Sequence, residues 1–220
     1  MNNSEILSHV DHTLLKATAS WEEIEVLCCE ATAHKTASVC VPPSYIKRIA
    51  RAFPGLNICT VIGFPLGYMS AAAKVKEAET ALLDGANEVD MVINLGDVKN
   101  GDFDKITEEI RAIKAAYGDK ILKVIIETCY LTREEKVALC SCVTQAGADY
   151  IKTSTGFGTA GATMDDILLF KEHIGAHVKI KAAGGIRSRQ DMVDFLKAGC
   201  DRLGTSSAVK ILSGEAGAGY

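Results

Sequence analysis

Two lysines and an aspartate are the residues of this chain best suited to chemistry. Lys152 closes the apolar run Tyr150-Ile151 and is followed by Thr153-Ser154-Thr155-Gly156. Lys181 closes Val178-Lys179-Ile180 and leads through Ala182-Ala183 into Gly184-Gly185. Asp90 stands among apolar neighbours in Glu88 to Ile93. An ammonium taken out of water must find a partner or lose its proton, and the neutral amine is a nucleophile. To be neutral near pH 7 a lysine must fall roughly three units from its reference of ~10.4, which is roughly 4 kcal/mol of environment. A second cation nearby supplies part of that. With Lys181 protonated beside Lys152, and Asp90 holding that charge and shuttling protons, Lys152 could attack a carbonyl. The resulting imine is an electron sink for carbon–carbon bond cleavage or formation without a metal. Lys123, inside Ile121 to Ile126, is a further charge partner, expected in a buried salt bridge with Asp90 or Glu127. Taken singly, each lysine could snorkel from a strand end to water; their shared context argues otherwise. Burial alone leaves open which of them is the nucleophile.

The elements that must position these groups follow one another regularly. Val10 to Leu15 reads as a strand or strand-like turn, and Ser20-Trp21-Glu22-Glu23 is a capping box opening a helix to about Lys35. Strands are expected at Ala37–Val41, Asn57–Gly63, Glu88–Ile93 and Ile121–Ile126, then at Tyr150, Val178 and Asp201 onward. Between them, apolar residues at helical spacing mark helices opened by Ser70, by the capping box Thr132-Arg133-Glu134-Glu135, and by Thr163 and Ser188. Another helix is expected over Ser44 to Phe53. Eight strands alternating with eight helices, with apolar runs that imply cover on both sheet faces, point to parallel pairing. Asp84-Gly85-Ala86-Asn87, Ala146-Gly147-Ala148-Asp149 and Ala198-Gly199-Cys200-Asp201 repeat one helix-to-strand loop three times. Eight such units in 220 residues predict a single-domain α/β (β/α)8 TIM barrel over 1–220 with a short flexible C-terminal tail; a doubly wound open sheet is the alternative. Working groups of such barrels stand at the C-terminal ends of strands, where Asp90, Lys152 and Lys181 are expected.

Composition narrows the function. A net charge of -4 from 24 basic and 28 acidic residues, without a basic block, argues against nucleic acid as a partner. No run of 18 apolar residues and no basic leader is visible, so no membrane contact and a cytoplasmic location are expected. The eight cysteines form no C-x-x-C pair and read as reduced packing residues. The five histidines make no H-E-x-x-H, so no metal site is expected. No G-x-G-x-x-G follows a strand to suggest a dinucleotide cofactor. Gly184-Gly185 after one strand, and Gly204-Thr205-Ser206-Ser207 after the next, set backbone amides and hydroxyls where barrels hold phosphate.

The ordered motifs Asp11-His12-Thr13-Leu14-Leu15, Glu88-Val89-Asp90, Lys123-Val124-Ile125-Ile126-Glu127-Thr128, Lys152-Thr153-Ser154-Thr155-Gly156 and Lys181-Ala182-Ala183-Gly184-Gly185-Ile186-Arg187 resemble those of the deoxyribose-phosphate aldolase family. The resemblance runs from Asp11 to Ser207. It implies a class I aldolase on a (β/α)8 barrel, working without cofactor, that interconverts 2-deoxy-D-ribose 5-phosphate with glyceraldehyde 3-phosphate and acetaldehyde in deoxyribonucleoside catabolism. It implies Lys152 as the Schiff-base lysine, with Asp90 and Lys181 as proton donor and acceptor. Asp11, Thr13 and Cys40, with Lys123, would serve the sugar end, and Gly156, Gly184, Gly185, Ser206 and Ser207 the phosphate. The partners implied are a small phosphorylated sugar and aldehydes, and a homo-oligomer, dimer or tetramer, is expected.

Two features depart from or extend the family pattern. Phe157 stands where some members carry a lysine, so phosphate must rely on backbone amides and Arg187. Tyr220, at the end of Gly217-Ala218-Gly219-Tyr220, matches a terminal tyrosine that in some members moves the imine's carbon-bound proton. Another barrel enzyme on sugar phosphates would instead need a catalytic glutamate, for which only Glu127 is available, or a histidine cluster. A silent phosphosugar-binding protein would keep the glycine loops without needing the lysines.

Overall fold

Successive residues of a strand face opposite ways, and in this chain the two sets differ in chemistry. Val89, Met91, Leu122, Val124, Ile151, Ile180, Ala182 and Leu203 belong to one buried apolar core. Between them in sequence stand Glu88, Asp90, Lys123, Lys152, Lys181 and Arg202, joined to one another in ion pairs. In the computed structural model, which describes residues 1–214, both sets are accounted for by closing the strands into a ring. The strands are β1 Val10–Thr13, β2 Ser38–Val41, β3 Ile58–Ile62, β4 Glu88–Val92, β5 Ile121–Ile125, β6 Tyr150–Lys152, β7 Lys179–Ala183 and β8 Arg202–Thr205. Each pairs in parallel with its predecessor, and β8 pairs with β1. The chain therefore has the (β/α)8 barrel, one face of every strand against helices and the other around the barrel axis. Ion pairs fill that axis where many barrels are filled by aliphatic side chains.

The helices are α1 Asn3–Leu7, α2 Trp21–His34, α3 Ile46–Ala52, α4 Ala71–Asp84, α5 Leu95–Asn100, α6 Phe103–Tyr117, α7 Arg133–Gln145, α8 Met164–His173, α9 Arg189–Ala198 and α10 Ala208–Ser213. Ser20, Thr132 and Ser188 make reciprocal capping boxes with Glu23, Glu135 and Asp191, each cap contributing about 1 kcal/mol. The expected eight helices become ten among the described residues. The two extra ones, α1 and α5, are single short turns capped by Asn2 and Asn94, too brief to show a helical apolar period. The helix expected from Ser44 begins as a 3-10 turn over Pro43–Tyr45 before turning α-helical at Ile46.

The thrice-used loop has a clear mechanical role. Gly85, Gly147 and Gly199 all take positive φ, ending a helix, and the next residue, Ala86, Ala148 or Cys200, is buried. The fourth residue then caps the neighbouring strand. Asn87 accepts from the Ile58 amide at 3.4 Å, Asp149 from Leu122 at 2.8 Å and Asp201 from Ile180 at 3.1 Å. One sequence device thus fixes where β4, β6 and β8 start relative to β3, β5 and β7, and so sets the depth of Asp90, Lys152 and Lys181.

Those depths correct one expectation. Lys152 is the last residue of β6, but Asp90 and Lys181 are each third of five in β4 and β7. Ala182 and Ala183 carry the β7 ladder past Lys181, opposite Leu203 and Gly204, before the double glycine ends it. The reacting groups are therefore stacked along the axis rather than spread over the rim.

Candidate active site

Asp90 is the hub of the stack. Its Oδ2 accepts from Lys152 Nζ at 2.7 Å and from Lys181 Nζ at 2.6 Å, while its Oδ1 accepts from Lys123 Nζ at 2.9 Å. The two upper lysines therefore share one carboxylate oxygen. Lys181 Nζ also donates to Asp11 Oδ2 at 2.5 Å, and Ser38 Oγ donates to Asp11 Oδ1 at 2.7 Å. Gly204 leaves room for this arrangement, since a Cβ there would stand 3.0 Å from Lys181 Cε.

Burial disfavours charge on Asp90, yet Lys123, Lys152 and Lys181 together hold its carboxyl well below the usual range. Asp11 is likewise lowered against its burial, chiefly by Lys181. Burial pulls Lys181 down, but Asp11 and Asp90 overcome it and keep the ammonium charged well above ordinary lysine pH. The same balance, led by Asp90, holds Lys123 protonated. Carboxylates with lowered native pKa contribute stability that is present above their unfolded pKa of about 4 and is lost as pH falls below it. Thermal unfolding followed by circular dichroism should therefore move to lower temperature progressively below about pH 4, and Asp90→Asn should flatten that dependence.

Lys123 forms the buried salt bridge expected of it, with the first of its two candidate partners. It pairs with Asp90 and, at 2.5 Å, with Glu88, but not with Glu127. Glu127 takes a left-handed backbone at φ 54° and accepts from the amide and hydroxyl of Thr155. It thereby braces the loop that follows Lys152. Burial pushes its carboxyl up.

Above the stack opens a cavity of about 260 Å³. Lys152 reaches it and is 3% exposed, whereas Lys123 and Lys181 are wholly covered and do not line it. Its walls are Thr13 and Leu15, the 155–161 loop, the 183–187 loop and Gly204 to Ser207. Gly156, Gly184, Gly185, Ser206 and Ser207 are thus brought together with Thr13 and Lys152, while Asp11, Cys40, Asp90, Lys123 and Lys181 do not line the cavity. Tyr220 falls outside the described residues. The part played by Thr159, Ala160 and Gly161 was not legible beforehand. The Ala162 amide bonds Ala183 and Gly184 carbonyls at 3.1 Å, and a Cβ on Gly161 would meet the Gly184 carbonyl at 2.3 Å. Phe157 does not line the cavity; its ring stands edge-on to Phe64 with centroids 5.4 Å apart. Ser154 Oγ is buried with no hydrogen-bond partner among the described residues, a hydroxyl left over beside Lys152.

Two buried groups, Cys40-Cys59-Asp90 and Asp11-Cys59-Glu88, gather potential ligand atoms within 4.8 Å. Each carboxylate in them already faces a lysine or arginine, so the positive charge a metal would bring is supplied by side chains.

The DeoC/LacD family aldolase profile matches residues 6–214. A protein of Clostridium botulinum (strain Alaska E43 / Type E3) named deoxyribose-phosphate aldolase is 62% identical over 100% of both chains. One of Clostridioides difficile (strain 630) with the same name is 59% identical over 96% of each. The solved deoxyribose phosphate aldolase of Aeropyrum pernix, described as tetrameric, superposes with a TM-score of 0.88 at 32% identity, covering 96% of this chain and 91% of its own.

Proposed function

This chain belongs to the DeoC/LacD family of aldolases, and from that premise we propose that it cleaves 2-deoxy-D-ribose 5-phosphate reversibly to D-glyceraldehyde 3-phosphate and acetaldehyde through an imine on Lys152. It is a lyase, like the relatives named deoxyribose-phosphate aldolase. The observation that carries the reading is the single carboxylate oxygen shared by a covered, charged Lys181 and a cavity-facing Lys152.

The charge count of the stack supports Lys152 as the nucleophile. Lys123, Lys152, Lys181 and Arg202 are joined through Asp11, Glu88 and Asp90, four basic groups to three acidic ones. Charges balance when one amine gives up its proton. Asp11 and Asp90 fix the proton of Lys181, and Lys152, with one carboxylate oxygen, is the amine that meets the substrate. Attack on the sugar's carbonyl carbon forms a carbinolamine, and loss of water gives the iminium. Breaking the bond between the carbons α and β to the iminium leaves its electron pair in an enamine, while the β-hydroxyl gives its proton to a base and its carbon becomes the aldehyde of glyceraldehyde 3-phosphate. Asp90 and Lys181, within reach of Lys152, are the groups to take and return protons. Reprotonation of the enamine carbon and hydrolysis then release acetaldehyde, Tyr220 being a further candidate for that carbon-bound proton.

The phosphate belongs at the other end, against the Gly184-Gly185 turn, Ser206-Ser207 and Arg187. Turnover on 2-deoxyribose 5-phosphate should greatly exceed turnover on the unphosphorylated sugar at equal concentration. Equal rates would refute the phosphate assignment, and no cleavage of either would refute the reaction. Arg187→Gln should raise KM for the phosphorylated sugar about tenfold, the loss of one charge-assisted contact, with a smaller change for the unphosphorylated one. A cytoplasmic location belongs to the same reading. A homo-oligomer is part of the same reading, given the tetrameric Aeropyrum pernix relative.

A further inference from the structure

Beneath the reacting groups, one carboxylate begins two parallel chains of ion pairs that rejoin at Asp90. Glu88, 1% exposed, pairs with Lys123 at 2.5 Å, and Lys123 pairs with Asp90. Glu88 also pairs with Arg202 at 3.1 Å; Arg202 bonds Asp11, and Asp11 shares Lys181 with Asp90. Glu88 and Asp90 are two apart in β4, so they face the axis one above the other, about 7 Å apart along the strand. Asn57 Nδ2 donates to Glu88 at 2.7 Å, and Asp11, Cys59 and Tyr117 are further titratable groups near it; Tyr150 faces Arg202, and Glu127 and Cys40 stand near Lys152.

We propose that Glu88 and Arg202 are positioning residues of opposite sign that set, through these two chains, the pH at which the Lys152 amine becomes available for imine formation. The inference rests on the imine reading above. Neither residue lines the cavity, so neither can touch the substrate. Their effect must travel through Lys123 to Asp90, and through Asp11 and Lys181 to Asp90. Glu88 supplies one of the three negative charges that balance the array, and Arg202 one of its fixed positive charges. Raising of the Arg202 guanidinium by Asp11 and Glu88 against its burial agrees with a permanently charged partner.

A structural role and a charge-setting role make different predictions. Removing either member of a buried pair destabilises the fold whatever its sign. Only charge setting moves the pH response in opposite directions. The experiment measures the initial rate at which acetaldehyde and cyanoborohydride alkylate Lys152, read by peptide mass from pH 5 to 10 for the parent and each variant alike. The reagents' own pH dependence is common to every protein, so differences between midpoints belong to the protein. Loss of folded protein lowers the amplitude of the curve without moving its midpoint. Glu88→Gln keeps the acceptor for Asn57 and removes a negative charge, so its midpoint should fall by about one pH unit. Arg202→Gln should raise it by about as much, and the double variant should return to the parent value. If one single variant does not accumulate, the other and the double variant still predict midpoints on stated sides of, or equal to, the parent's. Midpoints that stay put, or that move the same way in both single variants, overturn the inference. An unmodified Lys152 in the parent enzyme would instead overturn the imine reading itself, so the two failures are separable.

Discussion

Lys152→Met should abolish cleavage of 2-deoxyribose 5-phosphate, lowering kcat/KM by at least about 10⁴-fold, which is about 5 kcal/mol of transition-state stabilisation. Methionine nearly matches the lysine in length and suits the apolar Tyr150-Ile151 context, so the barrel should keep its fold. The loss would be chemical. Without the amine no imine forms, and neither Lys123 nor Lys181 can replace it, because both are wholly covered and bound to two or more carboxylates. Removing Lys152 also takes away the excess basic group of the array, leaving three of each sign. The variant should therefore be no less stable to heat than the parent, an unusual outcome for the loss of a buried lysine. Residual turnover within about tenfold of the parent would mean that another nucleophile is at work.

Lys181→Leu should be the second largest effect and of a different kind. Lys181 donates to Asp11 and to the Asp90 oxygen that also receives Lys152. Leucine leaves two buried carboxylates short of a cation, at a cost of about 3 to 5 kcal/mol in folding stability. Lys152 would then be the main cation left near that Asp90 oxygen and would keep its proton. Turnover should fall by about 10² to 10⁴-fold, the usual weight of a missing acid–base partner. Unlike the Lys152 variant, this one should still accept acetaldehyde at Lys152, slowly and with its pH response moved upward. Wild-type turnover in Lys181→Leu would show that the proposed coupling of the two amines is wrong.

The barrel was legible because its signals are local. Capping boxes at Ser20 and Thr132, and the loop repeated before β4, β6 and β8, depend on residues a few positions apart, and the structure places them as expected. The depth of the chemistry was not. Lys181 looked like a strand end because a double glycine follows closely, and Asp90 was set at one only by the general rule for barrels, yet two apolar residues carry each strand further. The period-2 signal was present in Glu88-Val89-Asp90-Met91, but its inward meaning depends on partners that only ring closure supplies. Arg202 meets Asp11 across 191 positions of sequence and Lys181 meets it across 170. Likewise Glu127 looked like a partner for Lys123 because both sit on one apolar run. The left-handed turn at Glu127 aims its carboxylate at Thr155 instead. Of the residues expected to meet substrate, Thr13, Lys152, Gly156, Gly184, Gly185, Ser206 and Ser207 do line one cavity, which the loop at 158–161 completes.

The glycines of that loop explain how a site can be both close-packed and open. At Gly161 the backbone runs against Gly184 with no space for a methyl group, so the 155–161 and 183–187 loops hold each other in place. Phe157 is held edge-on to Phe64 outside the cavity wall. In the proposed function phosphate recognition is therefore assigned to backbone amides, hydroxyls and Arg187, which the KM effect expected for Arg187→Gln tests.

Sodium borohydride reduction of the parent enzyme in acetaldehyde, followed by digestion and peptide mass mapping, addresses the central claim most directly. Stoichiometric alkylation confined to the peptide bearing Lys152, at Lys152 itself, is the predicted result. Modification at Lys123 or Lys181 in its place, or recovery of every lysine intact, would contradict it.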